Sequence, residues 1–394
     1  MPLALIALAL SAFAIGTTEF VIVGLLPTMA QGLNISIPSV GLLVSLYALG
    51  VAIGAPVLTA LTSRWNRKHV LLSVMGLFVI GNLVAWRAPS FEALVIARIL
   101  TGLAHGVFFS IGSTIATSVV PKEKGASAIA FMFTGLTVAL VTGVPLGTYI
   151  GQVFGWEATF LIVSILGFLA MIGCFILVPS KLKQAKPTKI KAQLKVLTHP
   201  RLLLVYAITA IGYGGTFITF TYLAPILNEV SGFDSSSVAL ILLVYGVSVA
   251  VGNIWGGKMA DNYGPIKALT IIFAGLASIL FMLSYTVYNP ITAVLTILVW
   301  GAFAFGNVPG LQVYVLKLAE THTPDAVDVA SGLNIAAFNV GIAIGAWGGG
   351  HIVAEYGLMD TPWVGGIVVL VALVLTRYSE MLDRKGTNLN LVKD

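Results

Sequence analysis

The sequence predicts an all-α polytopic membrane protein with twelve transmembrane helices in two pseudo-symmetric six-helix bundles. Three observations predict it. The 394 residues are 58% hydrophobic and only 9% charged, with a mean hydropathy of +1.00, whereas an ordinary soluble domain is about 25% charged. Apolar runs of about 20 residues, enough to cross a hydrocarbon core of roughly 30 Å, recur along the whole chain with short breaks. The chain also repeats itself: a shift of 198 residues lays Pro27 on Pro225, Tyr47 on Tyr245 and Gly54 on Gly252. Helices are the spanning element, because a β-barrel would show ~10-residue alternating strands instead.

The spans fall at 3–30, 38–62, 69–87, 91–119, 126–151, 158–178, 201–228, 237–258, 267–287, 290–316, 328–352 and 362–380. The first opens on MPLALIALALSAFA, which lacks the positively charged region of a secretory signal and reads as a span. The fourth carries an arginine, Arg98, and the fifth a Gly/Pro run. The sixth holds the single cysteine, Cys174, which has no intramolecular disulfide partner. After it comes KLKQAKPTKIKAQLK, with six lysines and no acid, a soluble linker over 181–200 that separates one unit, 1–180, from a second, 201–394. Six spans plus six gives both halves one orientation, related by an axis along the membrane normal. The eighth span ends in GNIWGGKM, which fits Gly-x4-Gly-Lys but has Met259 where a phosphate loop needs Ser or Thr, and no strand precedes it.

A net charge of +6 suggests nucleic acid until it is mapped. All of the 21 Lys and Arg residues except Arg87 and Arg98 fall on one side of the predicted topology. The charge therefore reports orientation, and both termini are expected in the cytoplasm.

Local motifs carry a family resemblance. TALTSRWNRKHVL, after the second span, resembles the Gly-x-Leu-Ala-Asp-Arg-x-Gly-Arg-Lys signature of the major facilitator superfamily at Arg64, Arg67 and Lys68, and departs from it at Thr59, Ser63 and Asn66. The second copy, GKMADNYGPIKAL, keeps Gly257, Asp261 and Gly264 but lacks the arginines. LVIARILTGLAHG matches the Arg-centred motif of proton-coupled carriers at Arg98 and Gly102, and TGVPLGTYIG resembles the antiporter motif at Gly143, Pro145 and Gly147. TTEF followed by GLLP is similar to the first helix of the bacterial twelve-helix drug/proton antiporter family, with the sugar, arabinose and nucleoside exporters as its nearest branch. Glu157 departs from that family, where Arg is common.

Of the 15 acids, Glu19 alone lies well inside a predicted span. Counting ~1.5 Å per residue puts Glu19 and Arg98 at similar depth in the outer half of the membrane. The resemblance implies that their helices line a central cavity and bring the two within reach. Two readings are open: a structural ion pair, or a proton-coupling pair. A carboxyl in apolar surroundings holds its proton more tightly and a nearby guanidinium loosens it, so their separation would set proton affinity. His105, two turns beyond Arg98 on the same face, either titrates or packs.

Candidate substrate contacts are Phe20, Tyr47, Phe109, Phe217 (laid on Glu19 by the repeat), Thr221, Tyr245, Asn307, Asn334 and Asn339, since polar groups within spans face the interior. Gating falls to Arg64, Arg67, Lys68 and Asp261, whose charges are split between the halves, and to Gly143, Pro145 and Gly147, expected where the fifth helix meets the other half. The resemblance implies proton-coupled export of a sugar, nucleoside or drug by a monomer in the bacterial inner membrane. Its partners would be protons, a small solute and lipid, with no nucleic acid, cofactor or metal. A proton-independent facilitator or proton-driven importer shares the fold. A membrane-embedded sensor or enzyme is disfavoured by the lack of a catalytic constellation or a sizeable soluble domain.

Overall fold

The computed structural model describes residues 2–62, 65–121, 125–180 and 195–391. Among these, twelve helices are long and apolar enough to cross a membrane: α1 Leu3–Leu33, α2 Ile37–Leu58, α3 Arg67–Trp86, α4 Phe91–Ser118, α5 Ala128–Phe154, α6 Trp156–Leu177, α7 Pro200–Val230, α8 Ser235–Tyr263, α9 Pro265–Thr286, α10 Pro290–His322, α11 Val329–Glu355 and α12 Asp360–Arg384. No strand occurs among the described residues. Most of the expected 181–200 linker, residues 181–194, lies outside them.

Helix ends follow side-chain chemistry that hydropathy does not report. α1 stops at Asn34, which adopts the left-handed conformation (φ 54°, ψ 46°) and turns its N–H back onto the Ala30 and Gln31 carbonyls. Asn66, Ser90 and Asp234 cap α3, α4 and α8 with side-chain oxygens. α12 runs past the expected residue 380 because Arg377 and Arg384 both pair with Glu380, at 2.8 and 2.7 Å, and support another helical turn.

Three helices widen near a proline. A π-helical segment spans Gly54–Leu58, which includes Pro56; another, Ala139–Gly143, precedes Pro145; a third, Ile226–Val230, follows Pro225. A proline ring cannot donate to the ladder and crowds the carbonyl four residues back, and the extra residue in the turn Ala139–Gly143 just ahead of Pro145 relieves both; the turn after Pro225 lies beyond the residues that its ring crowds.

The repeat is built into the packing. In the first half, α2 crosses α4 so closely that a Cβ on Gly54 would stand 2.7 Å from the Leu103 carbonyl oxygen. In the second half, α8 crosses α10 at Gly252, the repeat mate of Gly54, where a Cβ would stand 2.2 Å from the Ala302 carbonyl oxygen. Without a hydrophobic drive between helices in lipid, such close backbone approach is what holds each pair.

The halves meet through α2 with α11, α5 with α8, and α1 with α7. These contacts lie toward the end of the molecule away from the termini, where Ser45 of α2 donates to the Ala343 carbonyl of α11 at 2.6 Å. At the terminus-side end each half is tied within itself. Arg201 at the start of α7 reaches Tyr314 of α10 at 3.0 Å and the Ser379 side chain of α12 at 3.3 Å, and pairs with Asp383. His199, just ahead of α7, stacks on His322 with ring centroids 4.5 Å apart. Burial and the neighbouring His322, Lys195 and Arg201 lower the pKa of His199.

Candidate functional site

α1, α2 and α4 converge on the polar centre of the first half. Glu19, Arg98 and His105 are the only Asp, Glu, Lys, Arg or His side chains buried among the described residues, with exposures of 7%, 1% and 5%. Arg98 and His105 share a face of α4 because seven residues make two turns.

Glu19 and Arg98 lie at the same level of the bundle, and the expected direct pair is replaced by a different arrangement. Arg98 donates from Nη1 to the Thr18 carbonyl at 2.8 Å and from Nε to the Leu43 carbonyl at 3.3 Å, while its guanidinium carbon lies 4.0 Å from the centre of the Tyr47 ring. Nη2 is buried without a partner. The carboxylate of Glu19, one residue from the carbonyl that holds Arg98, has its ion-pair partner among the described residues elsewhere, at His105 Nδ1, 3.9 Å away. That same Nδ1 shares a hydrogen bond of 2.9 Å with the Tyr47 hydroxyl. A guanidinium carries five donors in a fixed fork, so a site offering two helix carbonyls and a ring face captures it without the carboxylate.

Chemically, Nδ1 of His105 sits between a phenol and a carboxylate. Unprotonated, it accepts from Tyr47; protonated, it faces the Glu19 carboxylate with a charge. Direct proton transfer needs heavy atoms about 2.6–3.2 Å apart, so Glu19 and His105 must close by a fraction of an ångström to exchange one. Thr18 also donates its hydroxyl to Asn82 of α3 at 2.6 Å, which fixes α1 beside the site. Asn82 gave no signal in the sequence beyond being polar within a span.

Phe20 points the other way, across the seam between the halves. Its ring lies 6.4 Å from Phe217 of α7 and 6.3 Å from Phe305 of α10. Tyr213 joins them at 5.1 Å from Phe217, 5.4 Å from Phe305 and 5.0 Å from Phe338. Where the first half carries ionisable groups, the second half presents aromatic rings, with Phe217 standing in for Glu19 as the repeat predicts. Tyr213, Phe305 and Phe338 were not picked from sequence.

The remaining candidates divide. Phe109 packs 4.9 Å from His105 and belongs to the first cluster. Tyr47, a candidate substrate contact, is engaged by Arg98 and His105. Tyr245 stacks on Phe220 at 4.9 Å and meets Trp300 at 5.3 Å, within the second half. Thr221 donates to its own helix at Phe217. Asn334 is satisfied by Thr209 at 2.7 Å and Gln312 at 3.0 Å, a tie among α7, α10 and α11. Asn307 and Asn339 each donate to their own helix, at Ala304 and Ile335, and each leaves Oδ1 buried without a partner.

The gating candidates are also redistributed. Gly143 and Gly147 face α1 within their own half: a Cβ on each would stand 2.2 Å from Thr17 Oγ1 and 2.6 Å from Val21. Contact with the other half falls instead to Leu140 and Val141, whose backbones lie against Gly246 of α8. Pro145 acts from behind them, through the widened turn at Ala139–Gly143. Pro145→Ala is expected to let that turn relax to regular helix, rotate Leu140 off Gly246 and raise passive solute and proton leak into vesicles several-fold; unchanged leak with unchanged transport would show that the turn plays no gating part. Arg64 lies outside the described residues. Lys68 sits 5.4 Å from the centre of the Phe175 ring, and among the described residues neither Arg67 nor Asp261 makes an ion pair.

The model of the Major Facilitator Superfamily matches residues 8–327. The chain belongs to the major facilitator superfamily. It is 54% identical to the MFS-type transporter YtbD of Bacillus subtilis strain 168, over 97% of this chain and 96% of that one. It is 40% identical to the inner membrane transport protein YdhP of Escherichia coli K12, over 94% of each, and 33% identical to the putative transporter AraJ of the same strain, over 88% and 86%. Among solved structures, a D-xylose-proton symporter shares the fold, with a TM-score of 0.76 and 18% identity over 94% of this chain and 96% of that one. The protein is a transporter of small solutes, and not an enzyme.

Proposed function

We propose that this transporter exports a small solute in exchange for protons across the bacterial inner membrane, by alternating access between its two halves, with both termini cytoplasmic. The observation that carries the reading is Glu19. A lone carboxyl held inside a membrane bundle, 3.9 Å from His105 and beside the carbonyl that binds Arg98, is an arrangement suited to taking up and releasing a proton as the helices shift. Proton binding and solute binding then bias the same conformational equilibrium. The basic side chains support the orientation, and the inner membrane is where YdhP is named as working. With that orientation, the closed distal end makes this the inward-facing arrangement.

The sign of proton movement tests it. In proteoliposomes carrying a pH-sensitive dye, inward movement of solute should drive protons out and alkalinise the lumen. Lumenal acidification would identify a symporter, and no change a facilitator.

The split charges, Arg67 and Lys68 at the start of α3 and Asp261 near the end of α8, fit a latch that forms when the terminus-side end closes. Asp261→Asn is expected to favour the present arrangement by up to roughly five-fold, the scale of one exposed pair. Spin-label distances across the terminus-side mouth would lengthen; unchanged distances would leave these charges with topology alone.

A further inference from the structure

At the seam distal to the termini, one side chain fills the space between the halves. Tyr222 stands where α7 leaves regular helix for two residues before Leu223–Pro225 and the widened turn Ile226–Val230. It is fully buried, and its hydroxyl donates to the Ala346 carbonyl of α11 at 3.0 Å. On its other side is Gly41 of α2, in the opposite half, where a Cβ would stand 2.2 Å from the Tyr222 hydroxyl oxygen and 2.8 Å from Cζ. Gly349 and Gly350 of α11 complete the surround: a Cβ on the first would stand 2.9 Å from Cε2 of the ring, and on the second 2.8 Å from the hydroxyl oxygen. Glycines from both halves thus form a slot that fits a phenol and leaves no room for one methyl more. The repeat places Gly24 opposite Tyr222, so the first half supplies no second plug.

We propose that Tyr222 gates the distal mouth: seated in this slot it shuts that end, and it must leave the slot for that end to open. The proposal rests on the alternating-access reading above. It also connects the gate to the buried charges. Gly41 lies two residues before Leu43, whose carbonyl holds Arg98 Nε, and four before Ser45, which bonds Ala343 across the seam. Lifting α2 away from Tyr222 therefore moves one of Arg98's two acceptors, so the gate and the charge cluster act on opposite faces of one helix.

The test uses the full chain in lipid nanodiscs, with Cys174→Ser as background and spin labels at Gln31→Cys and Glu355→Cys, exposed positions near the distal ends of α1 and α11. Tyr222→Phe keeps the ring and removes the hydrogen bond, and should raise the open-to-closed ratio of the distal mouth roughly 3- to 10-fold, the effect of one buried hydrogen bond. Gly41→Ala, which leaves the tyrosine no room, should raise it more. In a Tyr222→Ala background, Gly41→Ala should add nothing, because no ring remains to collide with. Unchanged distances in Gly41→Ala, or an equal effect of Gly41→Ala with and without the ring, would overturn the proposal. If Gly41→Ala does not fold, an unchanged ratio in Tyr222→Phe overturns it alone. The functional reading fails separately: solute uptake that leaves lumenal pH unchanged sinks proton coupling and leaves the gate standing.

Discussion

Glu19→Gln is expected to abolish pH-driven transport, by 100-fold or more, while the protein still folds and still exchanges solute. The amide matches the carboxyl in size and hydrogen-bonding reach but does not titrate at any working pH. Structure predicts little cost. The Glu19 carboxylate makes no hydrogen bond within the described residues, its ion-pair partner there is His105 at 3.9 Å, and Arg98 is held by backbone carbonyls that the substitution leaves in place. Removing an ionisable group from so buried a position should leave thermal stability unchanged or higher. Counterflow, in which labelled solute exchanges for unlabelled solute with no net proton movement, separates the two roles. Retained counterflow with lost pH-driven flux assigns Glu19 to coupling; full pH-driven flux in the mutant would remove it from the proton path.

The spans were legible because a membrane sets one length and one polarity for every crossing segment, and the repeat was legible because Gly54 and Gly252 hold equivalent crossings in both halves. Three kinds of feature were not. Arg98 binds the carbonyls of Thr18 and Leu43, and a backbone acceptor has no letter in the sequence, so the visible acid was taken as the partner. Tyr47 and His105 were each singled out, but their hydrogen bond joins residues 58 apart and depends on how α2 crosses α4. The GVPLG motif marked a real distortion in α5, yet which face of the helix meets the other half turned on the rotation introduced by the widened turn at Ala139–Gly143. Phe217 was found for a sound reason, the repeat. Its companions Tyr213, Phe305 and Phe338 come from three helices, and only the packing brings them together.

Arg98→Lys is expected to fail nearly as completely as Arg98→Ala. If charge alone mattered, lysine would keep most of the function. The geometry argues otherwise. Arg98 ties its own helix α4 to two others through three contacts: Nη1 on the α1 carbonyl of Thr18, Nε on the α2 carbonyl of Leu43, and the planar face on the Tyr47 ring, also of α2. An ammonium is a point donor on a flexible stem and cannot hold two carbonyls on different helices while lying flat on a ring. Lysine therefore loses at least one hydrogen bond to a charged donor, worth ~1.5–3 kcal/mol, together with the stacking. The site that positions Tyr47 against His105 loosens with it, so the loss reaches Tyr47 and His105 without Glu19 being touched. Measured as pH-driven flux in proteoliposomes, both variants should fall at least ten-fold, with Tyr47→Leu showing an intermediate loss because it removes the ring and the phenol but leaves both carbonyl contacts of the guanidinium. Flux in Arg98→Lys close to that of the unsubstituted protein would mean that charge alone is required and that the three-helix clasp is only structural.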